Sequence, residues 1–222
     1  SHWSLEKKIF INQVRKYKEP TTLLSNCSGK HSGMLLLSKI LKADRRGYEE
    51  LDHPVQKKII ETINYFTEKH ILDYPHGVDG CGVPAFSAPL KVWGKALARF
   101  ANDKDLPDNL RYGKKTISSS IAKEPFFIAG DRRVCTAIAR SLGSKITPKM
   151  GAEAVYFCSL NDLGLGLVLK CRDGSTRAVE FALGKILKLL NYKISKELNS
   201  YFKSDIYNIS GKKIGSKSIK LS

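Results

Sequence analysis

The chain has no apolar run long enough to cross a bilayer and no charged leader followed by a hydrophobic core. Neither a transmembrane helix nor a secretory signal peptide is therefore expected. It has no internal repeat and no low-complexity tract, which argues against solenoids and disordered tails. Carboxylates are few: 21 Asp and Glu stand against 38 Lys and Arg, a net charge of +17. Arginine is scarce as well, 10 residues against 28 lysines, and the lysines are scattered from Lys7 to Lys220. Bidentate grip on phosphates or bases favours arginine. The pattern thus reads as a solvated basic surface, with no specific nucleic acid and no membrane as partner. The five cysteines (Cys27, Cys81, Cys135, Cys158, Cys171) are odd in number and widely spaced, which is not a disulfide framework. Without a secretory leader they read as reduced thiols in a cytoplasmic protein.

What is present is an ordinary globular composition, 42% hydrophobic and 27% charged over 222 residues, enough for a single domain spanning 1–222. Leu5, Ile9, Phe10 and Val14 recur at helical spacing from Ser4 until Glu19-Pro20 stops the run. His31 to Ala43 reads as a buried helix carrying Met34, Leu35, Leu36, Leu37, Ile40 and Leu41. A third helix starts with Asp52 as N-cap and Pro54 in its first turn. Ser87 opens a fourth, with Leu90, Trp93, Leu97 and Phe100 facing inwards, and residues 102–113 form a loop. The second half changes character. Ala154 to Leu160 and Leu165 to Cys171 read as strands, Asp173-Gly174 as a hairpin signal, and Ala178 to Leu190 and Ile194 to Phe202 as helices. A last strand runs through Ile206 to Ile219. Helices, an antiparallel meander, then helices and an edge strand make an α+β fold, an antiparallel sheet flanked by helices.

Two cassettes carry the chemistry, Asn26-Cys27-Ser28-Gly29-Lys30-His31 and Asp79-Gly80-Cys81-Gly82-Val83-Pro84. Each sets a cysteine among glycines and polar groups just outside a predicted helix, where side chains can converge on a ligand. Cys27 and His31 at a loop-to-helix junction, with Cys81, form a sulfur and nitrogen set that zinc accepts. The same residues also read as two unrelated thiols beside a solvated lysine.

The two cassettes, in this order and some fifty residues apart, resemble the asparaginase II family, the thermolabile or rhizobial-type L-asparaginases. Three further stretches agree: Ala129-Gly130-Asp131-Arg132, Lys149-Met150-Gly151-Ala152-Glu153 and Lys170-Cys171-Arg172-Asp173-Gly174-Ser175. Ser1-His2-Trp3 is similar to the family's Pro-His-Trp, and Ile209 to Gly215 to its last strand.

The resemblance implies a fold similar to serine β-lactamases and penicillin-binding proteins, with residues 1–222 as the C-terminal two thirds and the N-terminal part missing. It implies hydrolysis of L-asparagine to L-aspartate and ammonia by Ser/Lys acyl-enzyme chemistry, in a homodimer, with the serine segment upstream. It also implies zinc (Zn2+) held by Cys27, Lys30 and Cys81, which moves His31 from ligand to the substrate pocket. Lysine ligates only when deprotonated, so the metal must overcome a free pKa of about 10.4. Asp79 is implied as the partner of the substrate's ammonium, a role that competes with an Asx-turn capping its own loop. Lys149 is implied as the catalytic lysine of a Ser–Lys pair, against its plain reading as a surface lysine.

Cys135 stands where the family usually has Asp, and Ala154 where it usually has Gly. Four Ser-x-x-Lys matches occur, at Ser4, Ser120, Ser200 and Ser210, little above the two or three that 21 serines and 28 lysines in 222 positions produce by chance. None lies in the family's context. Two other readings therefore stand beside the enzyme: a non-catalytic zinc-binding remnant of the fold, and a basic nucleic-acid-binding protein.

Overall fold

Helices and three small antiparallel sheets alternate along the chain, the α+β character that its hydrophobic pattern predicts. A computed structural model describes residues 3–16 and 19–220. Ser1 and His2, compared above with Pro-His-Trp, lie outside the described residues, as do the two positions after Lys16 in the first predicted helix. The chain falls into two compact units, Ser1–Val92 and Trp93–Ser222. No described helix is long and apolar enough to cross a membrane.

In the first unit, α1 spans Lys7–Lys16 and buries none of its residues. Helix α2, Ser28–Ile40, starts three residues before the predicted His31. It is not the buried helix its sequence suggests. Only Ser38 is buried, and Leu36 and Ile40 are 58% and 67% exposed. A helix that is apolar all round needs cover on every side, and within this unit α3 covers one. Helix α3, Pro54–Thr67, takes proline in its first turn as expected. Its N-cap is His53, not Asp52: the imidazole Nδ1 accepts the Val55 N–H at 3.1 Å. Val55, Gln56, Ile60 and Thr67 are its buried face. Strands β1, His76–Val78, and β2, Pro84–Phe86, then pair antiparallel, with Val78 opposite Pro84. This hairpin carries the second cassette as its loop. Helix α4, Leu90–Ala101, follows, and the division between the units falls in its first turn.

The second unit begins with the rest of α4. The loop expected over 102–113 ends early, because α5 spans Asp108–Lys123. Short α6, Phe126–Ala129, leads into α7, Val134–Leu142, where seven of nine residues are buried. Neither α6 nor α7 is legible in the hydrophobic spacing: α6 is four residues, about one turn, and α7 is nine residues of which seven are buried, so neither shows a clear helical period. Strands β3 (Ile146–Met150), β4 (Val155–Leu160) and β5 (Leu165–Lys170) form an antiparallel meander. Asp173-Gly174 is not a hairpin turn. Gly174, at φ +71°, turns the chain into α8, Thr176–Leu189. Helix α9 is short, Lys196–Asn199, and continues as a 3-10 turn to Phe202. The expected last strand is a hairpin of β6, Asp205–Tyr207, and β7, Lys213–Ser216, because Gly211 (φ +81°) reverses the chain between them.

The core sits on one face of the meander. Tyr156, Cys158 and Leu160 from β4 and Ile146 from β3 pack with Val134, Ile138, Leu183, Leu187 and Leu198 from α7, α8 and α9. Helix α4 covers the other face, with Trp93 against Phe157 at 5.5 Å between ring centroids. The sheet is thus flanked by helices on both sides, as expected. Alternation along β3 follows from this, with Ile146, Pro148 and Met150 buried and Lys149 exposed between them.

Two backbone positions set the local geometry. At Gly166 a Cβ would stand 2.1 Å from the Gly94 carbonyl oxygen and 2.6 Å from Ala98 N, both α4 backbone. Only glycine lets α4 lie this close to β5. Glu153 and Ala154 hold φ values of +51° and +57° in the turn between β3 and β4, where L-residues are strained. Gly166→Ala is expected to destabilise the fold by about 2 kcal/mol or more, since backbone cannot yield as a side chain can. Ala154→Gly is expected to stabilise it by up to about 1 kcal/mol by relieving the left-handed residue. Urea denaturation of both variants checks the pair, and the same sign for the two would contradict it.

Candidate metal and substrate site

Cys27 occupies the N-cap of α2 without capping it: its side chain makes no bond to the helix backbone. The sulfur is therefore free to face elsewhere, while Cys27 O takes the His31 N–H at 3.1 Å. Lys30 and His31 follow in the first turns. The second cassette is bent by its own hydrogen bonds. Asp79 N–H donates to Val83 O, and Gly82 N–H to Asp79 O, both at 2.8 Å. Gly82 has φ +94°, a conformation that glycine adopts without strain. The Asp79 carboxylate has two roles. Oδ1 accepts the Gly80 N–H at 2.8 Å, the Asx-type turn, and Oδ2 faces the first cassette.

The cassettes converge. Lys30 Nζ donates to Asp79 Oδ2 at 3.3 Å and to Cys81 Sγ at 3.2 Å. The Cys81 thiol lies 3.4 Å from the same Asp79 oxygen. One donor atom each from Cys27, Asp79 and Cys81 all lie within 4.8 Å of one another. These groups hold one another through hydrogen bonds. Burial pushes the Cys27 thiol above its ordinary value, against the pull of the Lys30 charge. Burial alone would lower Lys30, but hydrogen bonds to Cys81 and Asp79 outweigh it and hold the ammonium above the ordinary lysine value. Asp79 moves the other way. Its hydrogen bonds with Cys81, Lys30 and the Gly80 N–H hold it below the usual carboxylate range.

This donor set fits zinc. A tetrahedral zinc with Zn–S bonds of about 2.3 Å holds two sulfurs roughly 3.8 Å apart, within the observed span. Cys27 and Cys81 supply the soft donors. The third place has two contenders on one spot, Lys30 Nζ and Asp79 Oδ2. Lys30 must first give up a proton that the site itself retains, whereas Asp79 is already ionised.

The chain's similarity to known proteins bears on the same residues. Residues 1–219 match the family model of L-asparaginase II. The chain belongs to the L-asparaginase II family. Both cassettes and the Lys149 stretch lie inside the match, which runs over nearly the whole chain. A comparison with curated proteins gives no match. Membership places the chain among asparaginase-type hydrolases, whose substrate is a small molecule, asparagine.

His31 does not join the metal-type cluster among the described residues. Its Nδ1 lies 2.6 Å from the Tyr48 hydroxyl, and its ring meets Tyr48 edge to face, with centroids 5.7 Å apart. The Tyr48 hydroxyl titrates above its ordinary value, first from burial and then from the charges of Glu49 and Cys81. Gln56, 1% exposed on α3, donates to the Tyr48 carbonyl at 2.9 Å. Sequence reasoning missed Tyr48, Glu49 and Gln56. No local motif marks them, because they reach the site through the packing of α3 beside α2. A mostly apolar hollow along α3, lined by Leu51, Ile60, Asn64 and Leu72, holds none of the site side chains.

Lys149 belongs to the second unit. It sits on β3 opposite Phe157, is exposed, and its Nζ donates to Met150 O at 2.6 Å. The desolvation expected around a catalytic lysine is not supplied by its own strand. The Lys149 charge does act on Cys135, whose thiol is nevertheless pushed up by burial.

Proposed function

We propose that this chain carries the metal and substrate-binding part of an L-asparaginase that converts L-asparagine to L-aspartate and ammonia. The observation that carries the reading is the convergence of Cys27, Lys30, Asp79 and Cys81, from two cassettes some fifty residues apart, in a member of the L-asparaginase II family. Cys27 and Cys81 would hold zinc as thiolates, with Lys30 as a deprotonated amine the third protein donor. Zinc, when bound, supplies a positive charge that orients the substrate.

Asp79 Oδ2 receives the substrate's α-ammonium, and His31 lines the same pocket. Catalysis is by covalent acyl transfer. A serine Oγ attacks the carboxamide carbon as Lys149 takes its proton, ammonia leaves, and water then attacks the ester to release aspartate. No Ser-x-x-Lys within 1–222 stands in the family's context, so the acyl-accepting serine is assigned to a segment outside these residues. The β3–β5 meander with its helices is read as part of a sheet similar to that of serine β-lactamases. A cytoplasmic homodimer is the working assembly, and the charge of +17 is a solvated surface, not a specific nucleic-acid site.

Purified protein is expected to carry about one zinc per chain. Cys27→Ser and Cys81→Ser are expected to lose it, and Lys30→Met to lose more than Asp79→Asn. Metal analysis decides this: if Asp79→Asn strips the zinc and Lys30→Met does not, the carboxylate is the ligand.

For activity, residues 1–222 alone are expected to release negligible ammonia from asparagine. A Ser-x-x-Lys segment of the family, fused or added in trans, is expected to restore release, and Lys149→Ala to abolish it again. Brisk hydrolysis by residues 1–222 alone would overturn the serine mechanism. Zinc binding with no activity under either arrangement would favour the non-catalytic remnant.

A further inference from the structure

Cys27 and Cys81 come from cassettes some fifty residues apart, yet their sulfurs lie within 4.8 Å of each other. Both residues are half-buried, so small solutes reach them from water. A disulfide sets its sulfurs about 2 Å apart, which leaves a gap of under about 3 Å to close. The loop that carries Cys81 has room to close it. Gly80 and Gly82 flank the cysteine, and a Cβ on either would meet nothing within 4 Å. Strand β1, which leads into the loop, is exposed along its whole length.

The other three cysteines are placed differently. Cys135 and Cys158 are 2% and 0% exposed in the core of the second unit, out of reach of an aqueous oxidant. Cys171 is half-buried, but its thiol is engaged by the Asp173 carboxylate at 2.8 Å. Cys27 and Cys81 thus pair an accessible sulfur with a neighbouring one. Lys30 Nζ also stands 3.2 Å from Cys81 Sγ. An ammonium donates hydrogen bonds and has no lone pair with which to bond sulfur, so the second sulfur is the better partner.

We propose that Cys27 and Cys81 are a modification site, joined by a hydroperoxide into a reversible disulfide that excludes zinc from the cassettes and is excluded by it. One sulfur attacks a peroxide oxygen: an S–O bond forms, the O–O bond breaks, and the departing hydroxide takes the thiol proton as water. The second sulfur then attacks the sulfenic sulfur. An S–S bond forms, the S–O bond breaks, and hydroxide leaves as water with the second thiol proton. Two thiols lose two electrons in all, and the peroxide gains them. A dithiol reverses the linkage by exchange. The disulfide rests on the placement of the sulfurs alone, whereas its opposition to zinc rests on the zinc reading above, since a sulfur in a disulfide is no longer a thiolate ligand.

The test treats the full chain, stripped of metal by a chelator, with hydrogen peroxide and maps its peptides by mass spectrometry. A linked Cys27–Cys81 peptide pair is expected, lighter by two hydrogens and separated again by dithiothreitol, with Cys135 and Cys158 still reduced. Cys27→Ser and Cys81→Ser are each expected to lose the pair, and circular dichroism checks that both variants are folded. Excess zinc is expected to slow the linkage about tenfold or more, and the oxidised chain to bind no zinc until it is reduced. Cys27 and Cys81 still reduced after peroxide, or linked to other cysteines instead of each other, would overturn the proposal. A Lys30–Cys81 pair joined through an added oxygen would overturn it as well. Rapid linkage that zinc does not slow, in a chain that binds none, would leave the disulfide standing and overturn the zinc reading.

Discussion

One ammonium ties the candidate site together. Lys30 Nζ reaches a sulfur and a carboxylate oxygen on a loop 49 to 51 residues further along the chain, at 3.2 and 3.3 Å. Without that cation, the Asp79 carboxylate would face the two sulfurs with only the Cys81 thiol to hydrogen-bond it. With it, the two cassettes neutralise one another and the hairpin loop is drawn towards the first turn of α2. The pair is about two-fifths exposed on each side, so its worth as a surface ion pair is small. Its importance is geometric: it brings two sulfurs and a carboxylate of zinc-compatible chemistry to one place. Under the zinc reading proposed above, the same cation sets a competition: as a ligand Lys30 would have to lose its proton, and Asp79 Oδ2 would lose its partner.

The two units solve different packing problems. In the second unit, α7, α8 and α9 close one face of the meander and α4 the other, so Tyr156, Ile138, Leu183 and Leu187 lose essentially all contact with water. Burial of each such side chain contributes about 1.5–3 kcal/mol, and Gly166 is what lets α4 approach the sheet closely enough to finish the cover. The first unit buries far less. Leu23, Leu36 and Ile40 are exposed, and α1 buries nothing. Its order comes from polar ties as much as from apolar contact. Ser38 Oγ donates to the carbonyls of Ala43 and Asp44, Gln56 to Tyr48, and Asn64 Oδ1 accepts the Ile71 N–H at 2.7 Å. The site is therefore carried on the less buried unit, positioned by hydrogen bonds that the chain makes over short sequence distances.

Much of this is written in local sequence. Period-two alternation gave β4 and β5 to within a residue, helical spacing gave α3 and α8, and Pro54 marked the start of α3. The family could be read from cassettes whose residue types have a chemical reason to stand together, and the match over residues 1–219 bears that out. The errors have physical causes. Asp52 gave way to His53 as N-cap because an imidazole nitrogen was better placed over the Val55 N–H. Asp173-Gly174 carries a hairpin signal, but the residues after it had a helical partner to bury against, and the turn opens α8 instead. Helix α7 was invisible because it is short, nine residues, and seven of them are buried, which leaves too little polar contrast for a periodicity to reveal.

By itself, then, the sequence determined the α+β alternation and the family, and it nominated Cys27, Lys30, His31, Asp79 and Cys81 as candidate site residues. These depend on residue type and on spacing within one or two turns, which are local properties. Only the tertiary structure decided which of them share a space. It turned Asp79 to face both its own loop and Lys30, and it took His31 away from the sulfurs and handed it to Tyr48. It left Lys149 exposed on a strand in the other unit. The reason is that convergence rests on how α2, α3 and the β1–β2 hairpin pack. Packing is set by side chains far apart in the chain, such as Lys30 and Cys81, whose partnership no local pattern encodes.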